Sequence, residues 1–352
     1  MLREPVALDG LIRALEGADR LVLLGDLLEL RHGPEAAAVA VAAEPLQRIG
    51  AALGASRQVV YVPGNHDHHV LAGWFDRRAW VAADGHPGAL RQPASLGLET
   101  AVDSVPSETL GRLAALLAPA QVSVSYPGVW LRRDVYATHG HYLDVHMTMP
   151  TLERVGAGAM SRVTGRAPDK ARSPEDYEAV LAPIYAWIHA MAQRIPAERS
   201  GNLHGGSVRG WHALTGPGRR GVRRRAMAAG FPVLVAALNQ AGLGPLQAEL
   251  SGAGLRRSGL RAMETVASRV GIAAPYVIFG HTHRAGPLPG DDRHEWRLAS
   301  GGELINTGCW VQEPSFTGPD PSRSPYRVGF AVWVDEANPA SPPRLVNLLD
   351  GT

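Results

Sequence analysis

Val59-Val60-Tyr61-Val62-Pro63-Gly64-Asn65-His66-Asp67 is the stretch on which the reading of this chain turns. Its first four residues are β-branched or aromatic without interruption, the pattern of a strand buried on both faces. Pro63-Gly64 then stops the strand and hands an amide, an imidazole and a carboxylate to a loop. Three other stretches repeat this plan. Leu21-Val22-Leu23-Leu24 leads to Gly25-Asp26, Val135-Tyr136-Ala137 to Thr138-His139-Gly140-His141, and Tyr276-Val277-Ile278-Phe279 to Gly280-His281-Thr282-His283. Between the first two strands, residues 35–53 are Ala-rich with apolar residues at helical spacing, so a strand-helix-strand unit is expected. Buried strands of an α/β fold deliver their loops to one edge of the sheet, so these polar groups are expected to converge.

Residues 145–270 have a different texture, with helical stretches at 174–194 and 255–270 and no strand alternation, and are read as a helical insertion. The expected organisation is therefore a core of 1–144 and 271–352, interrupted by a cap of 145–270. Within the cap, Arg219, Arg220, Arg223, Arg224 and Arg225 precede an apolar stretch, Phe231 to Leu246. That cluster reads either as a solvated basic turn before a core helix or as an Arg-lined lid for a phosphate or lipid headgroup. In the second reading, 219–246 touches a membrane surface peripherally. Later strands are expected around Leu304–Thr307, Phe330–Val334 and Arg344–Leu348, with Pro314 to Pro325 as a surface loop.

Composition narrows the function classes. The chain has 352 residues, 45% hydrophobic and 19% charged, which suits a sizeable folded core and excludes a disordered chain. A net charge of +2 makes no strong case for nucleic acid, although Arg dominates the basic residues and Lys170 is the only lysine. Cys309 is the sole cysteine, which rules out an intramolecular disulfide and a thiolate zinc cluster. With no long apolar run and no apolar core of a signal peptide at Met1–Pro5, a cytoplasmic address is expected.

Imidazoles, a strand-terminal carboxylate and an amide oxygen are the donors that hold Zn, Fe, Mn or Ni. Two such ions close together can neutralise a phosphoryl group and generate a nucleophile at neutral pH. The ordered set Gly25-Asp26-x-x-Glu29, Gly64-Asn65-His66-Asp67, His139-Gly140 and Gly280-His281-Thr282-His283 resembles the calcineurin-like metallophosphoesterase superfamily, over residues 21–140 and 275–310. The resemblance implies a four-layer α/β/β/α sandwich of two mixed sheets, here with a helical insertion. It implies two divalent metal ions, with Asp26 as the bridging carboxylate, Asn65, His139 and His281 on one ion, and His283 on the other. His66 would stabilise the transition state or protonate the leaving group, with Asp67 orienting it, while Glu29 structures its loop. Arg284 is a candidate substrate-phosphate donor. Asn306-Thr307-Gly308 matches the small-residue turn that follows Gly-His-x-His in the family. His68, His69 and His146 read as structural, and His141 competes with His139 as a ligand.

The implied function is hydrolysis of a phosphate monoester, diester or pyrophosphate by metal-activated hydroxide, on a nucleotide-linked or lipid-linked substrate. One element of the family pattern has no counterpart: no Asp-x-His precedes Asp26, so the second metal site is expected to be incomplete. A first strand lying upstream of the recorded start is the preferred account. Two rivals are a binding protein of this fold with impaired catalysis and a nuclease acting on DNA through the Arg219–Arg225 cluster.

Overall fold

A computed structural model describes residues 5–82, 95–106, 108–148, 152–164, 170–195, 233–241, 243–244, 246–247, 251–311, 314–317 and 320–350. The chain opens with α1 (Pro5–Leu15), β1 (Arg20–Leu24), α2 (Glu35–Leu53) and β2 (Gln58–Val62). It continues through α3 (Ala72–Ala82), β3 (Glu99–Ala101), α4 (Thr109–Leu116), β4 (Gln121–Arg132) and β5 (Val135–Thr138). Helices α5 (Leu152–Thr164), α6 (Pro174–Ala192) and α7 (Gly252–Val270) come next. The closing strands are β6 (Tyr276–Phe279), β7 (Ala285–Gly286), β8 (Glu303–Thr307), β9 (Phe330–Trp333) and β10 (Arg344–Asn347).

Eight strands hydrogen-bond in the order β1-β2-β4-β5-β6-β8-β7, with β3 alongside β4, and β9 and β10 form a separate antiparallel pair. The hinge of this arrangement is β4. Its residues 121–124 run parallel to β2, 125–127 pair with β3, and 128–132 run antiparallel to β5. One long strand therefore joins two parallel groups, β1-β2 and β5-β6-β8, into a curled mixed sheet.

Alternation along the strands sorts side chains into layers, because successive residues point to opposite faces. Val59 and Tyr61 of β2 pack with Leu8, Leu11, Leu46, Ile49 and Leu113 from α1, α2 and α4. Val60 and Val62 turn the other way, into an inner layer with Val129, Val135, Ala137, Ile278 and Ile305. On the far side Val277, Phe279 and Leu304 face Leu181, Ile184, Met263 and Val266 of α6 and α7. Helices, strands, inner apolar layer, strands and helices follow one another, so the fold is an α/β sandwich.

The helices of the far side are delimited by recognisable signals. Helix α6 starts with a capping box, Ser173 and Asp176, and has Pro174 in its first turn. Helix α7 starts at Ser251, whose hydroxyl accepts from the Gly254 N–H, and stops at Gly271. No described helix is long and apolar enough to cross a membrane. The cluster Arg219 to Arg225 and the start of the apolar stretch from Phe231 lie outside the described residues.

Candidate metal centre

Four loops at the C-terminal ends of β1, β2, β5 and β6 meet at one place. Asp26, His139 and His281 bring their ligating atoms within 4.8 Å of one another. Asn65 joins them, its Oδ1 lying 3.2 Å from His139 Nε2 and 3.1 Å from His281 Nδ1. Asp26 Oδ2 is 3.3 Å from His139 Nε2, while Oδ1 accepts the His66 N–H at 2.9 Å.

The far nitrogens of both imidazoles are already committed. His139 Nδ1 donates to the Leu24 carbonyl at 2.9 Å, and His281 Nε2 donates to Asp144 Oδ1 at 2.9 Å. Each ring in its neutral form therefore turns a lone pair toward Asn65 and Asp26, so acceptors face acceptors. Flipping the Asn65 amide would satisfy the imidazoles but would leave Asp26 Oδ2 against His139 Nε2. In the ion-free protein a proton on His139, whose pKa Asp26 raises against burial, meets Asp26 Oδ2; a cation held among Asp26, Asn65, His139 and His281 would take its place, and the N/O donor set suits a borderline divalent metal.

The backbone carries the same message. Asp26 (φ 53°), His281 (φ 63°) and His283 (φ 61°) are the non-glycine residues with positive φ among those described. Such left-handed conformations cost energy and are kept only where the surroundings impose them. Gly25 and Gly64 make the approach feasible, since a Cβ on Gly25 would fall inside the His139 ring and one on Gly64 would strike Asp26. Asn306 holds the His281–His283 turn from outside, donating to Gly280 O at 3.0 Å and to Thr282 Oγ1 at 2.8 Å.

Charge is unevenly shared. Burial alone would raise the Asp26 pKa, but the His139, His66 and His281 imidazoles outweigh it and hold the carboxyl well below its ordinary range. Burial opposes protonation of His66, yet Asp26 and Glu29 lift it to about 9, so His66 is an imidazolium at neutral pH. At His283 burial, with the neighbouring His66, His281 and His139 imidazoles, outweighs Asp26 and takes the pKa down to about 4. Asp26, His139, His281 and His283 all line a cavity of about 1110 Å³ that runs along β1 toward Ala331–Val334. Among the described residues β1 pairs only with β2, so its other edge borders this cavity.

Two expectations about side-chain partners need correction. Asp67 does not orient His66: its carboxylate accepts from Leu27 N at 2.6 Å, Gly64 N at 2.6 Å and Tyr61 OH at 2.5 Å. It is a buried pin between the β1 and β2 loops. The residue that holds His66 is Glu29, whose Oε2 lies 2.6 Å from His66 Nδ1. Arg284 does not offer its fork to the cluster either. That fork is closed in a bidentate pair on Asp291 at 2.5 and 3.0 Å, and it lies over the Trp296 ring.

His141 is buried beside the centre, its Nε2 3.0 Å from Tyr126 OH, and burial pushes its pKa well down. His68 is paired with buried Glu178 at 2.8 Å, and His146 with Tyr177 OH at 2.7 Å. Asp144 and Glu178 escaped the sequence reading. Asp144 follows His139 by five residues, on the 3-10 turn His141–Val145, and a carboxylate just beyond a candidate ligand could have been flagged as the orienting group for an imidazole. A scan against protein-family models finds no match to the chain, and no curated protein matches it.

Proposed function

We propose that the chain is a metal-dependent phosphoesterase of the calcineurin-like metallophosphoesterase kind, acting on a phosphate monoester, diester or pyrophosphate. The observation that supports this most is the set of inward-turned acceptors on Asp26, Asn65, His139 and His281, three of them buried, with an imidazolium at His66 alongside. Those four residues would hold one divalent ion, and His283, which lines the same cavity, is the candidate for a second. A bound ion of this kind supplies charge neutralisation for phosphoryl oxygens and lowers the pKa of a water molecule.

The protein's own groups account for the rest. The Leu24 carbonyl and Asp144 fix which nitrogen each imidazole offers, so the ligands are preorganised. Glu29 engages His66 Nδ1, which leaves the Nε2–H, 4.0 Å from Asp26 Oδ2, as the proton to donate to a departing oxygen. A nucleotide-linked or lipid-linked substrate is the first class to try, given the cavity of about 1110 Å³.

The test is a hydrolysis screen of the whole chain with Mn2+ over aryl phosphomonoesters, phosphodiesters and nucleoside diphosphate derivatives. Turnover of one class is expected, lost with a chelator and in His66→Ala at the level of kcat. Turnover that survives both treatments refutes the proposal.

A further inference from the structure

A second group of potential ligands lies outside the cluster just described. Glu35 is the first residue of α2, His69 sits in the 3-10 turn His68–Leu71 that follows the Gly64–Asp67 loop, and His189 is in the last turn of α6. The ligating atoms of all three fall within 4.8 Å of one another. The His69 and His189 rings stack with centroids 3.5 Å apart and planes 16° from parallel. The His189 Nε2 is 3.5 Å from Glu35 Oε2.

Gln193 braces this arrangement from one side. Its Nε2–H donates to His189 Nε2 at 3.0 Å, and its Oε1 accepts the Glu35 N–H at 3.1 Å. The first contact identifies His189 Nε2 as the nitrogen with the lone pair, and an ion bound there would displace the Gln193 amide from it. Two imidazoles stacked this closely repel each other when both are charged, and burial keeps each below its ordinary pKa. Neutral imidazoles are the form that binds metals.

We infer that Glu35, His69 and His189 form a separate site for a borderline divalent ion such as Zn2+ or Co2+. Two imidazole nitrogens and one carboxylate oxygen are the three-ligand set of open zinc sites, and they discriminate against Mg2+ and Ca2+, which require oxygen cages. Its ligands come from α2, from the chain just after Asn65 and His66, and from α6. An ion there clamps the helical segment onto the loop that carries Asn65 and His66.

The experiment uses the whole chain, stripped with a chelator and then dialysed against limiting Zn2+. Bound metal is measured by elemental analysis, and Co2+ is followed by its visible d–d absorption. Glu35→Gln, at a partly exposed position, is expected to lower bound Zn2+ by one equivalent or to weaken it at least about tenfold. His189→Ala should do the same, with circular dichroism checking that it folds. Asp26→Asn removes a ligand of the other cluster, so the equivalent lost in that variant should leave the Glu35-dependent one in place. Zn2+ and Co2+ binding that is unchanged in Glu35→Gln, or that disappears entirely in Asp26→Asn, overturns the inference. Failure of phosphoester hydrolysis alone bears only on the first cluster.

Discussion

Asp67 and Glu29 exchange the parts that sequence adjacency would give them. Asp67 follows His66 directly, but the turn at Gly64 rolls its carboxylate under the loop, where it gathers donors from Leu27, Gly64 and Tyr61. Burial and the Asp26 charge raise its pKa, while Tyr61 and the Gly64 N–H pull it back. An amide cannot accept from all these donors, so Asp67→Asn should destabilise the protein by about 3 kcal/mol, read from urea unfolding. Glu29 has the opposite character, since with Asp26 it raises the proton affinity of His66, from a partly exposed position. In chelator-treated protein, Glu29→Gln is expected to bring the His66 pKa down from about 9, as followed by the imidazole resonances in NMR. An unchanged titration would show that Asp26 alone holds the proton. The candidate site's residue types and order were legible in the sequence because each candidate ligand follows a β-like run. Partnerships such as Glu29 with His66 or Asp144 with His281 were not, because only the loop geometry brings them together.

Helix α6 shows what a segment without strand signals can contribute. Its residues read as a helical stretch, and its capping box fixes where it starts, yet its central feature is the buried carboxylate of Glu178. Glu178 pairs with His68 at 2.8 Å, accepts from Tyr142 OH at 2.7 Å and also from Tyr126 OH. These partners come from the turn after β2, from β4 and from the turn after β5, so one side chain ties the helix to three parts of the core. Removing it takes the acceptor from His68 and from the Tyr142 hydroxyl, both buried, while Tyr126 OH keeps only His141 Nε2. Glu178→Ala should therefore cost about 3–5 kcal/mol of stability in chemical denaturation, whereas an exposed ion pair would cost less than about 1. Contacts of this kind span more than a hundred residues in the case of His68 and Glu178, which is why no local pattern announced them. The strands that carry the candidate ligands were legible for the opposite reason, since they are short uninterrupted runs of apolar residues, whereas β4, interrupted by Ser123, Ser125, Pro127 and Gly128, was not.

At the scale of the molecule, six of the described histidines divide into two groups with opposite effects on stability. Burial lowers His69 and His283 to about 4 and also lowers His141 and His189. The folded state keeps these four neutral where the unfolded chain protonates them, so their contribution is complete above about 6.5 and lost as pH falls toward 4. Lowered Asp26, Glu29 and Glu178 add to the loss at the acid end, and raised Asp67 opposes it. Opposing burial, nearby carboxylates lift His66 to about 9 and also raise His139, so their contribution is full below about 6.5 and fades as pH rises. Chelator-treated protein should thus be most stable near pH 6.5 and weaken on both sides, by about 1.4 kcal/mol per pH unit for each proton of difference. Urea midpoints across that range check this. The central claim is that Asp26, Asn65, His139 and His281 hold a divalent metal, and calorimetric titration of Mn2+ into the chelator-treated chain tests it most directly. The unaltered chain is predicted to bind one equivalent more Mn2+ than Asp26→Asn or His281→Ala; the same isotherm in all three proteins would contradict it.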